Sequence, residues 1–447
     1  MFAAPRFIAI DDRKEHLEAI INTLQQMGTS CFGIHYDVAD TFDPMIFLGV
    51  RCLFMDLHLT NGIPASDDNK HFAIIADILS SNISQSGGPF VLIVWTEYGH
   101  KCDELRLYLD THLDAKQLQA RPLAVLALPK ERFINTGNGT ITDAAKLKAE
   151  IKKLIESIPQ LAALLEWETD VLAATGETLA SLLSLIPDDK RISKSYSEEL
   201  DLILSRVACA TVGRFNVAAN PRAAISDALV PILADRLVNQ TAQQSSEIWK
   251  TAITKHGKSF AGPSSDDEAG RLNRMLHLAM ADTERCVPTD WGVVIEWPDQ
   301  WTEKEVISKL GLTGDQMLGG ELKIEKTDRN RCRPRLVRIG AVCDYAQNRI
   351  GPITFLLGME IPRSAARKTD SGGKLLPLPD GVWQSPTFVT VGVPDPFQLY
   401  VHSRFPVTML PDAVATWKPV YRLREQLLMQ LISKVSAYLS RPGIVEF

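Results

Sequence analysis

The sequence FIAIDDRKEHLEAI, residues 7–20, decides the fold: a short apolar run ends on two aspartates and passes into helical spacing. Three further apolar runs each end on a polar residue, namely Asp56, Thr96 and Lys130. Such runs are typical of strands buried on both faces of a parallel sheet. With another strand near 31–36 and helical patterns between the strands, we predict an α/β fold with a doubly wound, parallel five-stranded sheet.

The polar residues at the strand ends predict a common site. In an open α/β sheet, ligands bind at the carboxyl ends of the strands, so Asp11, Asp12, Asp56, Thr96 and Lys130 are expected to meet there. Mg²⁺ is a hard cation that binds a few carboxylates together with waters and phosphate oxygens. Three carboxylates, a hydroxyl and an ammonium group are therefore suited to Mg²⁺-assisted phosphoryl transfer onto an aspartate.

Four segments carry a resemblance to a known family: FIAIDDRKEHLEAI (7–20), LFMDLHLTNG (53–62), VLIVWTEYGH (91–100) and LALPKERF (126–133). Together they resemble the receiver (CheY-like) domain of the response regulators of two-component systems. The resemblance covers residues 5–137, which is less than a third of the chain. It implies a receiver-like sheet and a partner histidine kinase.

The resemblance also implies a role for each residue of the site. Asp56 is implied as the phospho-acceptor, and Asp11, Asp12 and Asp56 as the ligands of Mg²⁺. Thr96 is implied as the switch hydroxyl that follows the phosphoryl group, and Lys130 as its ionic partner. A chain of this kind is not an enzyme, except that it takes part in its own phosphorylation.

Several positions depart from the pattern of that family. Glu97 stands where a small residue is usual, and the run at 124–128 has no aromatic residue that could act as a rotamer switch. His58 and Tyr98, each two residues beyond a site residue, are expected to flank the phosphoryl group. These departures leave a second hypothesis open, in which the domain is a pseudo-receiver adaptor that binds partners without being phosphorylated.

The composition is that of a globular protein, with 45% hydrophobic and 23% charged residues. The net charge of -6 argues against a broad basic surface, so nucleic acid is not an expected partner. The 7 cysteines are scattered and form no C-x-x-C pair, so reduced thiols are expected. Neither a signal peptide nor an apolar stretch of membrane-spanning length is found, and we therefore expect a cytoplasmic protein.

We predict three parts: a receiver-like domain at 1–137, a mostly helical middle region at 138–286, and a β-rich domain at 287–447 with a closing helix. In the middle region, apolar residues across 147–165 alternate spacings of four and three. This pattern indicates either one amphipathic helix packed on its own chain or a helix that joins two copies in a homodimer. Further helical spacing covers 171–186, 198–208, 223–238 and 267–282.

The last part contains β-prone runs at 291–297, 336–342, 353–359 and 388–393. One predicted strand ends on Cys343-Asp344, which are either core residues or part of an effector enzyme gated by the receiver. The segment TDRNRCRPRLVR at 327–338 holds five arginines, which either bind phosphate or nucleic acid or line a solvated strand edge. A helix face is predicted from Val420 to Val435.

The closing segment VYRLREQLLMQLISKVSAYLSRPGIVEF, at 420–447, carries a second resemblance. It is similar to the ends of bacterial proteins that carry a receiver-like module in defence gene neighbourhoods, in particular the receiver-containing component of the antiphage two-component system Detocs. This implies an atypical response regulator or phosphate sink that draws phosphate from a kinase and damps a separate effector, with no DNA-binding output.

Overall fold

The computed structural model describes residues 4–38, 41–83, 87–115, 117–191, 195–241, 247–254, 262–298, 303–347, 351–390, 393 and 395–441. The chain divides into two compact units. The first comprises Met1–Ser184 and Pro231–Phe260, and the second comprises Leu185–Val230 and Ala261–Phe447. The boundaries at 137 and 286 that the sequence suggests stay a prediction.

A five-stranded parallel sheet forms the centre of the first unit, as predicted. Its strands are β1 (Phe7–Asp11), β2 (Cys31–His35), β3 (Cys52–Met55), β4 (Val91–Thr96) and β5 (Val125–Pro129). They lie in the order β2-β1-β3-β4-β5, which is one of the two common orders of doubly wound sheets.

Side chains alternate between the two faces of the sheet along each strand, and here they are apolar on both faces. Helices therefore cover both faces. The helices of this part are α1 (Lys14–Gln26), α2 (Asp68–Asn82), α3 (Cys102–His112), α4 (Ala144–Glu156) and α5 (Pro159–Ser184). On one face, Ile10 and Met55 share an apolar core with α2 and α3. On the other face, Ala9 and Phe54 share a core with α1, α4 and α5. In the described residues of the connection from β2 to β3, Pro44–Phe47 forms a 3-10 turn.

The apolar seam across 147–165 lies on two consecutive helices, since α4 ends at Glu156 and α5 begins at Pro159. Leu147, Ile151 and Leu161 are fully buried and pack in the same core as strands β1, β3 and β4. The seam therefore contacts the sheet of its own chain. Homodimerisation through this segment stays a prediction.

The middle of the chain is helical, as predicted. It contains α6 (Ser195–Val212), α7 (Arg214–Ala219), α8 (Pro221–Thr241), α9 (Glu247–Thr254) and α10 (Asp266–His277). The Ser265 hydroxyl accepts a hydrogen bond from the Glu268 backbone N–H at 3.1 Å and caps α10. The predicted helix at 267–282 is too long, because Leu278–Met280 pairs with a late strand and forms β6.

A curled, antiparallel seven-stranded sheet forms the β-rich part of the second unit. Its strands are β6 (Leu278–Met280), β7 (Val293–Glu296), β8 (Arg333–Ile339), β9 (Ile353–Pro362), β10 (Val382–Phe388), β11 (Phe397–Met409) and β12 (Pro419–Leu423). Their order is β10-β11-β9-β8-β7-β12-β6. The remaining helices are α11 (Glu303–Leu310), α12 (Gly314–Gln316), α13 (Val342–Ala346), α14 (Pro411–Val414) and α15 (Glu425–Leu439).

Three sequence predictions in this sheet were wrong in their boundaries. Strand β8 ends at Ile339 because Gly340 takes a φ of 144°, so Cys343-Asp344 lies on α13 instead of a strand end. The strand expected at 388–393 lies earlier, at Val382–Phe388, and residues 391–392 are outside the described residues. The closing helix begins at Glu425, because the residues just before it form β12.

Among the described helices, none combines the length and hydropathy that a bilayer crossing demands.

The packing of α4 on the sheet predicts the cost of truncating its buried face. Ile151→Ala should lower the free energy of unfolding by about 2–5 kcal/mol, because it removes a fully buried side chain and leaves a cavity. Leu172→Ala, at a position on α5 that is 60% exposed, is the matched control and should cost much less. Urea unfolding of the full chain at two protein concentrations measures both. Equal losses, or a loss for Ile151→Ala that disappears at high concentration, would contradict packing on the same chain.

Candidate functional site

The register of the parallel sheet brings the predicted site residues to one edge. Ile10 pairs with Met55, so Asp11 and Asp56, each one residue further along, lie at the carboxyl ends of neighbouring strands. Thr96 ends β4 and pairs with Pro129, which places Lys130 directly beyond β5 at the same edge. The sheet therefore gathers carboxylates, a hydroxyl and an ammonium group where its carboxyl ends meet.

Lys130 is the charged centre of this site. Its side chain is almost completely buried, and its Nζ lies 2.7 Å from Asp56 Oδ2 and 2.8 Å from Asp11 Oδ2. The contact with Asp56 has the geometry of a hydrogen bond, whereas the contact with Asp11 is an ion pair without that geometry. One ammonium group therefore holds two buried carboxylates together.

Backbone N–H groups bind the other oxygens of these two carboxylates. The Leu57 N–H donates to Asp56 Oδ1 at 2.7 Å, and the Arg13 N–H donates to Asp11 Oδ1 at 2.9 Å. Both donors belong to the turns that follow the strands. The turns thus fix the orientation of each carboxylate relative to Lys130.

The acidic cluster could hold a metal ion. Asp11, Asp12 and Asp56 each place a carboxylate oxygen within 4.8 Å of the others. Asp11 Oδ2 is buried and, apart from its ion pair with Lys130, has no partner among the described residues. Carboxylate oxygens are the ligands that hard divalent cations prefer, so the donor set fits such an ion.

Two of the three acids in this cluster, Asp11 and Asp12, have raised pKa values. Burial raises the pKa of Asp11 to about 7, against the opposing attraction of Lys130. Burial and the neighbouring charge of Asp56 also raise the pKa of Asp12. Since the folded state holds a proton on Asp11 up to a higher pH than the unfolded chain does, this group makes the free energy of unfolding fall as the pH rises from about 4 to about 7.

Thr96 lies at the same edge but has a separate partner. Its side chain is fully buried, and its Oγ1 accepts a hydrogen bond from the Tyr98 N–H at 3.2 Å. The Glu97 side chain between them is exposed. Thr96 is therefore held in place by its own loop and not by the carboxylates.

Aromatic and imidazole rings pack together beyond the site. The His58 ring lies 4.1 Å from the His71 ring and 4.3 Å from the Tyr98 ring, measured between centroids. Burial, followed by the proximity of His71, lowers the pKa of His58. The sequence predicted that His58 and Tyr98 flank the phosphoryl group, and this stays a prediction. His71 was missed because it comes from α2 and only tertiary packing brings it here.

No family model matches this chain, and neither a curated protein nor a solved structure matches it.

The buried pairing of Lys130 predicts a pH-dependent loss of stability when this cation is removed. Lys130→Met should lower the free energy of unfolding by about 3–5 kcal/mol at pH 8, because it leaves ionised carboxylates buried without a countercharge. At pH 5 the loss should be much smaller, since Asp11 can bind a proton instead. The measurement is urea unfolding at both pH values, with the exposed Lys146→Met as control. A loss of the same size at both pH values would exclude this electrostatic origin.

Proposed function

We propose that the first unit is a phospho-accepting receiver module in which Asp56 takes up a phosphoryl group. The observation that carries the proposal is the buried triangle of Lys130, Asp56 and Asp11 at the carboxyl edge of a parallel sheet with the order 2-1-3-4-5. A purely structural ion pair would not need the third carboxylate, Asp12, which adds negative charge to the same cluster.

Each residue of the site has its own role in the proposed in-line phosphoryl transfer. A carboxylate oxygen of Asp56 forms a bond to phosphorus while the bond from phosphorus to the leaving group breaks, and the leaving group keeps that electron pair. The Leu57 N–H orients the Asp56 carboxylate, and the Lys130 ammonium is close enough to neutralise a phosphoryl oxygen. The Thr96 hydroxyl, at the end of the neighbouring strand, can donate a hydrogen bond to another.

Asp11, Asp12 and Asp56 would hold Mg²⁺ beside the phosphoryl group. When bound, Mg²⁺ supplies positive charge that offsets the negative charge of the phosphoryl oxygens. The raised pKa values of Asp11 and Asp12 mean that cation binding competes with protons for these carboxylates.

A histidine kinase is the proposed phosphate donor, and a separate effector protein is the proposed recipient of the signal. The resemblance of the four N-terminal segments supports the kinase, and the resemblance of the closing segment supports a place in antiphage signalling. The net charge of -6 supports an output other than DNA binding. The run at 124–128, which lacks an aromatic switch residue, favours an atypical regulator or phosphate sink over a conventional switch.

Acetyl phosphate tests the proposal without a kinase. The full chain incubated with acetyl phosphate and Mg²⁺ should gain the mass of one phosphoryl group by intact mass spectrometry, and chelation of Mg²⁺ should abolish the gain. Asp56→Asn should remove the labelling, because an amide is not a nucleophile for phosphorus. Asp103→Asn is the matched control, since the Asp103 side chain is 92% exposed on α3.

Two results would contradict the proposal. The first is a wild-type chain that stays unlabelled while a known receiver is labelled under the same conditions. The second is undiminished labelling of the Asp56→Asn variant, which would place the phosphoryl group elsewhere.

A further inference from the structure

In the arginine-rich segment at 327–338, one of the five arginines forms no ion pair with a carboxylate of the described residues. Four of its five arginines have a carboxylate partner within 3.0 Å: Arg329 pairs with Asp315, Arg331 with Asp328 and Asp395, and both Arg333 and Arg335 with Glu360. The ion pairs of the described residues include none for Arg338. The segment is therefore a set of structural ion pairs with a single exception at its end.

Arg338 is half-buried and has hydrogen-bond donors without acceptors. Its Nε and Nη1 atoms are shielded from solvent, and no acceptor in the described part of the chain reaches them. A buried donor without an acceptor destabilises the fold, because it has lost its hydrogen bonds to water and gained none in return. The guanidinium group lies over the Tyr345 ring, 5.2 Å from its centroid, and this contact attracts the cation without satisfying its N–H groups.

The sheet register places a second arginine on the same face. Val337 pairs with Val294, so Arg338 lies next to Val293, and Val293 pairs with Arg422 on β12. Side chains in such a row point to the same face of a sheet. Arg338 and Arg422 therefore flank the small, fully buried Val293.

The acidic groups around this pair already have partners. Asp290 accepts hydrogen bonds from the Tyr345 hydroxyl at 3.0 Å and from the Val287 N–H at 2.8 Å. Glu284 pairs with Arg424 at 2.9 Å. The ion pairs of the described residues join neither carboxylate to Arg338 or Arg422. The charge of Asp290 attracts Arg338 from outside ion-pair distance, and Arg422 contacts the Cys286 thiol.

We propose that Arg338 and Arg422 form a binding site for a phosphate-type oxyanion, with the Tyr345 ring beside it. Two guanidinium groups match the charge of a dianion, and planar N–H donors suit the oxygens of phosphate. An anion between the two side chains would accept hydrogen bonds from the Nε–H and Nη1–H groups of Arg338, which now lack acceptors. The site lies in the second unit and is independent of the phospho-accepting chemistry of Asp56.

Isothermal titration calorimetry on the full chain, without Mg²⁺ and at constant ionic strength, tests the site. Inorganic phosphate and phenyl phosphate are the two probes, and both should bind to the wild type. Arg338→Gln and Arg422→Gln should each weaken the binding by about tenfold or more, as expected for loss of a charged hydrogen bond. Arg271→Gln, which removes an exposed arginine of the same unit, should leave it unchanged. Tighter binding of phenyl phosphate would identify a phosphate ester as the ligand, and equal binding would identify free phosphate.

If Arg338→Gln does not fold, Arg338→Lys and Arg422→Gln provide the same comparison, since lysine keeps the charge but loses the planar donors. The proposal is overturned if neither probe binds to the wild type. It is also overturned if both glutamine variants bind as the wild type does, or if Arg271→Gln weakens binding as much as they do.

Discussion

The ion pair of Lys130 with Asp11 and Asp56 is the constraint on which the first unit depends. Three carboxylates lie at a buried sheet edge, and burial of a charge is costly unless a partner of opposite charge is present. A single ammonium group cannot neutralise three acids, and burial, followed by the charge of Asp56, raises the pKa values of Asp11 and Asp12. The strands must therefore end in register, because any shift would separate Lys130 from the acids that it holds.

The buried carboxylate of Glu360 and its arginine partners form a second cluster of buried charges, which serves as a structural comparison for the Lys130 site. In the C-terminal sheet, Glu360 binds Arg335 through both of its oxygens, and it also contacts Arg333 and the Tyr421 hydroxyl. Every polar atom of that carboxylate is satisfied by the chain itself. At the N-terminal site, in contrast, a buried oxygen of Asp11 accepts no hydrogen bond, and acids outnumber cations. That difference supports a ligand-binding role for the N-terminal centre and a stabilising role for Glu360.

The sequence predicted the first sheet well because its signals are local. Four of the five strands, β1, β3, β4 and β5, are apolar runs, and the polar residue at the end of each is close in sequence, so periodicity and the rule for parallel sheets were sufficient. The wrong predictions concern segments and side chains whose structural partners lie far away in the sequence. Leu278–Met280 looks helical alone but pairs with Tyr421–Leu423, about 140 residues later, and this pairing makes it a strand. His71 and the contact of Arg338 with Tyr345 were missed for the same reason, since packing alone brings those residues together.

Binding of beryllium fluoride, a mimic of a carboxylate-bound phosphoryl group, tests most directly whether the Lys130 centre is built to accept phosphate. Fluorine-19 NMR of the full chain should show a bound resonance that requires Mg²⁺ and is lost in Asp56→Asn, because the mimic needs both the Asp56 oxygen and the countercharges of Lys130 and the metal. A wild-type chain that shows no bound resonance with Mg²⁺ present, or a resonance that persists in Asp56→Asn, would contradict the assignment of Asp56 as the phosphate acceptor.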